Sequence, residues 1–357
     1  MARSALRGFA AALLLAVLWS AASSAQAQNS PPGNPPDNPP SNPLIPTPGT
    51  IGYSVPLTFQ QLQRRYVVIQ PDYLQPGVPL VILLHPLGTT PEIMANVTRA
   101  GRLAAYFGVL VLLPEALNAH QWHDNPAPTG PEVNEPDDVG FVSALIDLAV
   151  EDYGVDPRRV YAAGYSNGGF MTERLACELA GRIAAVGVVA ATLRAPLAQS
   201  CAPSRTVPMA LMLGTADPIV PYAGQSNSQS TQQSLSAAQA TQFWLGTNNC
   251  VPYAVQHPFP TQESDPTSVT LSIYSPCGNG TEVRVYTVGD GGHTWPGASY
   301  QGMNDPWFQL LGNTTTLMDA TLELWMMFSR RSQWRSPGPP WHFPPWDGQA
   351  GGLQNAH

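Results

Sequence analysis

Val160-Tyr-Ala-Ala-Gly-Tyr-Ser-Asn-Gly-Gly169 is the stretch on which the reading of this chain turns. Val160 to Ala163 is a short, continuously apolar run of the kind a fully buried strand requires. Gly164-Tyr165-Ser166-Asn167-Gly168 then matches G-x-S-x-G, a sharp strand-to-helix turn that presents a serine hydroxyl. Phe170 to Leu175 follows with helix-forming residues. The bare five-residue match is weak, because glycine and serine are common; the strand before it and the helix after it make it specific. The glycines have a physical reason: the turn forces the serine into a strained backbone conformation where neighbouring side chains would clash. The helix start directs backbone N–H groups at any negative charge that develops nearby.

Outward from this turn, Leu80 to Leu84, Val109 to Leu113, Ala185 to Ala190 and Met209 to Leu213 are further apolar runs, and Val283, Val285 and Thr287 suggest one more strand. Continuous rather than alternating apolarity belongs to a parallel sheet covered on both faces. Between the runs, Val142, Leu145, Ile146, Ala149 and Val150 fall on one helical face, and Met171 to Leu179 and Leu317 to Phe328 also suit helices. This alternation predicts one α/β domain over 51–331, a mostly parallel, doubly wound sheet with helices on both faces.

A serine hydroxyl at such a turn needs a base and an orienting acid, following it in the order Ser, Asp, His. Met209 to Leu213 runs into Gly214-Thr-Ala-Asp217-Pro-Ile-Val-Pro221, which places Asp217 in a Gly/Pro-fixed loop past a strand's carboxyl end. The last strand runs into Gly289-Asp-Gly-Gly-His293-Thr-Trp-Pro296, whose glycines let the loop carry His293 back toward Ser166. His342 and His357 lie in the tail, His257 sits in a proline-flanked loop with no strand before it, and His120 and His123 precede the serine. The HxxH spacing of that last pair reads as an incidental loop feature. Ser166, Asp217 and His293 are therefore the candidate triad. The N–H of Asn167 and one from Leu84-His-Pro-Leu-Gly88 would form an oxyanion hole; Pro86 has no N–H, so Leu87 is the second candidate donor. His85 ends a buried strand and is expected to brace that loop. Trp295 and Trp122 are candidate walls of a substrate pocket.

The chain has 357 residues, 43% of them hydrophobic, enough for one large core. All 16 basic residues are Arg, so lysine Schiff bases, Ser–Lys dyads and the P-loop lysine are excluded. A net charge of −8 offers no basic stripe for nucleic acid. Residues 1–27 read as a signal peptide: Arg3 and Arg7, an apolar run from Ala10 to Leu18, and Ala25-Gln26-Ala27 as cleavage site. Secretion is the expectation, with no membrane association after cleavage. Residues 28–50 are a proline-rich spacer, and 332–357 form a Pro/Trp-rich tail carrying Trp334, Trp341 and Trp346. Cys177, Cys201, Cys250 and Cys277 make an even set in an exported chain, which suggests two disulfides; proximity alone favours Cys177–Cys201 and Cys250–Cys277. Their spacing fits no zinc module, and no metal is expected.

The segments LLHPLG, DDVGFVSALID, GYSNGGFM, GTADPIVPY and GGHTWPG resemble the secreted esterases grouped with polyhydroxybutyrate depolymerases and with LpqC-type feruloyl and acetyl-xylan esterases. The resemblance covers roughly 60–330 through five ordered motifs. It implies an α/β-hydrolase fold, hydrolysis of carboxylic esters, export, no cofactor, and Ser166, Asp217 and His293 as nucleophile, acid and base. One departure is Pro86, which stands where many α/β-hydrolases have glycine after the histidine. The expected substrate is a polyhydroxybutyrate-type polyester or its oligomers; feruloyl or acetyl-xylan esters are the alternative, and a non-catalytic wall-binding protein is the reading from another class. A monomer is expected.

Overall fold

The computed structural model describes residues 43–126, 135–225, 233–300 and 310–332. The expected signal peptide, most of the spacer, the tail tryptophans, His342 and His357 lie outside them. The elements in chain order are β1 (Thr50–Phe59), β2 (Leu62–Pro71), β3 (Val78–Leu84), α1 (Pro91–Thr98), α2 (Gly101–Phe107), β4 (Leu110–Pro114), α3 (Asp138–Tyr153), β5 (Val155–Tyr165) and α4 (Asn167–Glu178). They continue with β6 (Ala185–Val189), α5 (Ala195–Ser200), β7 (Met209–Gly214), α6 (Ala237–Thr247), β8 (Val255–Pro258), β9 (Ser268–Tyr274), β10 (Val283–Gly289) and α7 (Ala320–Phe328).

All ten strands form one sheet in the order β1-β2-β4-β3-β5-β6-β7-β10-β9-β8. The six central strands, β4 to β10 in that order, pair in parallel, while β1, β2, β9 and β8 join antiparallel at the two edges. Alternate residues of the central strands feed two cores. Leu80, Ile82 and Leu84 of β3 pack with Phe141, Val142 and Leu145 of α3, Met171 and Leu175 of α4, and Trp244 of α6. Val81 and Leu83 pack with Ile93 and Val97 of α1, Leu103 of α2, and Leu324, Trp325, Met327 and Phe328 of α7. Helices thus cover both faces, and each fully buried aliphatic or aromatic side chain contributes about 1.5–3 kcal/mol. This is the α/β-hydrolase arrangement. Its order returns β3 beside β5, so the ends of β3, β5, β7 and β10 open on one edge, where loops can meet.

The last residues of the proline-rich stretch are tied to the domain: Asn96 on α1 donates from its side-chain amide to Pro43 O (3.0 Å) and accepts from Ile45 N (2.9 Å), and Thr50 opens β1. His257 lies in β8, an edge strand whose residues are all exposed, rather than in a loop. The cysteines pair as Cys177–Cys201, joining α4 to the end of α5, and Cys250–Cys277. Among the described residues no helix is long and apolar enough to cross a membrane.

Candidate active site

Ser166 sits between β5 and α4 with φ 57° and ψ −119°, a conformation that L side chains rarely adopt and that costs about 1–3 kcal/mol. The surroundings over-determine it. Ser166 N–H donates to Val189 O on β6 (2.9 Å), and Phe170 N–H donates to Ser166 O (3.0 Å) to start the helix. A methyl on Gly164 would run into the carbonyl oxygen of Gly168, and one on Gly168 into that of Leu84; at Gly169 it would sit 2.8 Å from Ala191 Cβ. The turn can close this tightly only with glycine at these positions.

Asp217 follows β7, and His293 follows β10, the parallel neighbour of β7. Their loops are stitched to each other: Thr215 N–H donates to Val288 O and Ala216 N–H to Gly291 O (both 2.9 Å). His293 N–H donates to Leu311 O (2.6 Å), and the Tyr165 hydroxyl donates to His293 O (2.6 Å). The side chains then meet in a line. His293 Nδ1 is 2.7 Å from Asp217 Oδ2, and His293 Nε2 is 2.8 Å from Ser166 Oγ. The other Asp217 oxygen accepts from Ile219 N and Val220 N (both 2.8 Å), which fixes the carboxylate in place. All three residues are buried, His293 to 1% exposure. A carboxylate only accepts, so the imidazole proton resides on Nδ1 and the Nε2 lone pair faces the serine hydroxyl. This arrangement can take a proton from Ser166 and return it to a departing group.

Asn167 N–H is the first of α4, so it has no intrahelical acceptor. The second expected donor, Leu87 N–H, belongs to the same peptide plane as Pro86 C=O. That carbonyl accepts from His85 Nδ1 (2.9 Å), Thr89 N (3.2 Å) and Thr89 Oγ1 (2.9 Å). In a trans peptide N–H and C=O point opposite ways, so anchoring Pro86 O turns the Leu87 N–H away from His85 and Thr89. Among the described residues it donates to no protein group, and the Leu87 side chain is exposed. Proline at 86 is thus accommodated without loss, since only its carbonyl is used.

His85 is fully buried, and Ala116 N–H donates to its Nε2 (3.0 Å), so its proton sits on Nδ1. Desolvation by burial lowers its pKa to about 4, leaving it a neutral brace of the loop, as its place at a strand end suggests. His120 stands 3.3 Å from the Glu115 carboxylate, and His123 donates its backbone N–H to Asp138 (2.9 Å). No cluster of three metal-ligating side chains occurs among the described residues.

Neither tryptophan forms an open pocket wall, contrary to expectation. Trp295 is 1% exposed; its indole N–H donates to Thr321 Oγ1 on α7 (3.1 Å) and its ring meets Tyr165 edge-on at 6.3 Å. Trp122 is 0% exposed and donates its indole N–H to His85 O (2.9 Å). Both rings point into the cores because each N–H finds its partner there.

Sequence reasoning missed a buried polar chain beside the serine. The Asn167 side chain accepts from Trp122 N (2.7 Å) and donates to Trp122 O (3.1 Å) and Asp124 Oδ2 (2.9 Å). Asp124 in turn pairs with Arg194 (2.9 Å), whose guanidinium lies 3.7 Å over the Phe170 ring. The available signal was Arg194 itself, a single charge in the otherwise apolar run after β6, which demands a buried partner.

A family model described as Esterase PHB depolymerase matches residues 66–219, which include Ser166 and Asp217. The "Putative esterase NocK" of Nocardia uniformis subsp. tsuyamanensis is 30% identical over 64% of this chain and 68% of its own length. Feruloyl esterase B of Piromyces equi is 28% identical over 61% of this chain, which spans only 40% of that larger protein. Among solved structures, an acetyl xylan esterase from Aspergillus awamori superposes with a TM-score of 0.50 at 14% identity, over 72% of this chain and 99% of that one; at that identity the likeness speaks for the fold alone. With the family model on the serine turn and a relative this similar over two thirds of its length, the chain belongs to the Esterase PHB depolymerase family and is a carboxylic ester hydrolase.

Proposed function

We propose that this chain is an exported serine esterase in which Ser166 is the nucleophile, His293 the general base and acid, and Asp217 the residue that orients the imidazole. The observation that carries the reading is the continuous hydrogen-bonded line from Ser166 Oγ through His293 to Asp217. His293 Nε2 takes the hydroxyl proton as Ser166 Oγ bonds to the ester carbonyl carbon, and the carbonyl oxygen becomes an oxyanion facing the N–H groups of Asn167 and Leu87. Collapse expels the alcohol, which takes the proton from His293 and leaves an acyl-serine. Water activated by the same nitrogen then releases the acid and restores Ser166. No step needs a metal or cofactor. Export is supported by the signal-like residues 1–27 and by two disulfides, which persist in oxidising compartments.

The substrate we favour is a hydroxyalkanoate oligoester or polyester, after the family whose model matches. The similarity to a feruloyl esterase supports plant-wall esters as the second reading. Turnover of hydroxybutyrate oligomers, methyl ferulate and acetylated xylan by the purified chain decides between them. Ser166→Ala is the control in every assay: it is expected to abolish hydrolysis, and a folded variant with wild-type turnover would overturn the nucleophile assignment.

A further inference from the structure

The two donors of the oxyanion hole sit on different segments, and no hydrogen bond joins 85–88 directly to 166–169 among the described residues. One strap, residues 115–124 after β4, bonds to both. It donates from Ala116 N to His85 Nε2 (3.0 Å), accepts Gly88 N–H at His120 O (3.1 Å), and donates from the Trp122 indole to His85 O (2.9 Å). On its other side, the Trp122 backbone exchanges two hydrogen bonds with the Asn167 carboxamide, at 2.7 and 3.1 Å. The amide's orientation is set by Asp124, whose carboxylate can only accept and so must face the Asn167 NH₂. Asn118, Ala119 and His120 all have positive φ, near 52–60°, a run that L residues adopt only where their surroundings hold it.

We propose that Trp122 and the Asn167 side chain are positioning residues that set the separation and direction of the Leu87 and Asn167 N–H groups. This rests on the oxyanion hole proposed above. Trp122 is the shared member: its indole fixes the carbonyl one peptide before the Pro86–Leu87 plane, while its own N–H and C=O grip the residue that bears the other donor. Catalytic hydrogen bonds of this type act only if they meet the oxygen of the tetrahedral state at about 2.7–3.1 Å, so a shift of a few tenths of an ångström weakens stabilisation there more than it weakens substrate binding.

The test uses the full chain. Trp122→Phe keeps an aromatic ring and removes the indole donor; Trp244→Phe, which deletes from α6 an equally buried indole donor to Glu173 of α4 (3.0 Å), is the control for general loosening. Losing an oxyanion donor outright costs about 10²–10³ in kcat, so misplacing one is expected to cost about 10–100-fold. Trp122→Phe should show that fall in kcat on p-nitrophenyl acetate with KM nearly unchanged, and phenylboronic acid, whose tetrahedral adduct puts an oxygen in the hole, should bind weaker by a similar factor. Asn167→Ala, which retains the backbone N–H, should do the same and serves if Trp122→Phe does not fold. Trp244→Phe should keep wild-type kcat. Wild-type kcat and boronate affinity in the folded Trp122 and Asn167 variants, or an equal fall in Trp244→Phe, would overturn the proposal. Ser166→Ala separates the two levels: if it stays active the triad reading fails, whereas if it is inert and the strap variants are unaffected, only the strap fails.

Discussion

Replacing Trp295 by alanine distinguishes an anchor from a pocket wall. The indole is 1% exposed, packs with Met318, Leu324 and Trp325 in the core under α7, and meets Tyr165 edge-on. Removing a buried tryptophan costs about 3–5 kcal/mol from lost transfer energy and the cavity left behind. The hydrogen bond adds little, because Thr321 Oγ1 still donates to Thr98 O and no buried donor is stranded. A loss near 4 kcal/mol is therefore expected, read as a fall of about 10 °C in Tm. His293 lies two residues away on the same loop, so the loosened anchor also displaces the base, and this hurts every substrate alike. Urea unfolding with disulfides intact gives the first quantity; kcat/KM on acetyl, butyryl, octanoyl and feruloyl esters gives the second. A stability loss below about 1 kcal/mol together with a penalty that grows with acyl size would refute the buried-anchor reasoning.

Asp217→Asn should keep the geometry but favour the wrong imidazole tautomer, lowering kcat by about 10⁴; a decrease under tenfold would assign the acid elsewhere. Glu173 is buried on α4, with one oxygen accepting from Trp244 and the other unpartnered among the described residues, and desolvation pushes its pKa well above the usual carboxylate value. It stays protonated in the fold where the unfolded chain ionises, so its contribution is present below about pH 4.5 and is lost as pH rises. Glu173→Gln, which keeps the acceptor for Trp244, should therefore stabilise the protein at pH 8 and make no difference at pH 4; denaturant midpoints at the two pH values check this, and a gain at pH 4 equal to that at pH 8 would contradict it.

Four of the six parallel strands were legible because burial on both faces leaves them no polar side chain: every residue of β3, β4, β6 and β7 is buried, whereas β5 is continuously apolar only from Val160 to Ala163 and β10 carries Arg284 and Thr287. Three of the antiparallel edge strands were not. β1 exposes Ile51 and Tyr53, β8 is exposed throughout, and β9 alternates Ser-Val-Thr-Leu-Ser-Ile-Tyr, so none carries an unbroken apolar run. Ser166, Asp217 and His293 could be picked out because each follows a strand end in a glycine- or proline-fixed loop, and the structure brings the three together. The direction of an indole is another matter. Trp295 stands beside His293 in sequence, yet its partner Thr321 is 26 residues on, and Trp122 finds His85 37 residues back. The Asp124–Arg194 pair likewise spans 70 residues and exists only once the fold has formed.

Trapping the acyl-enzyme bears most directly on the chemistry. The purified chain is mixed with excess p-nitrophenyl butyrate, quenched in acid within milliseconds, digested and mapped by mass. A butyryl group on Ser166, absent from Ser166→Ala and accumulating with a burst of nitrophenol equal to the enzyme present, is the result expected of a serine nucleophile served by His293. Hydrolysis with the ester's acyl group found on another residue, or with no adduct and no burst under conditions that slow deacylation, would contradict it.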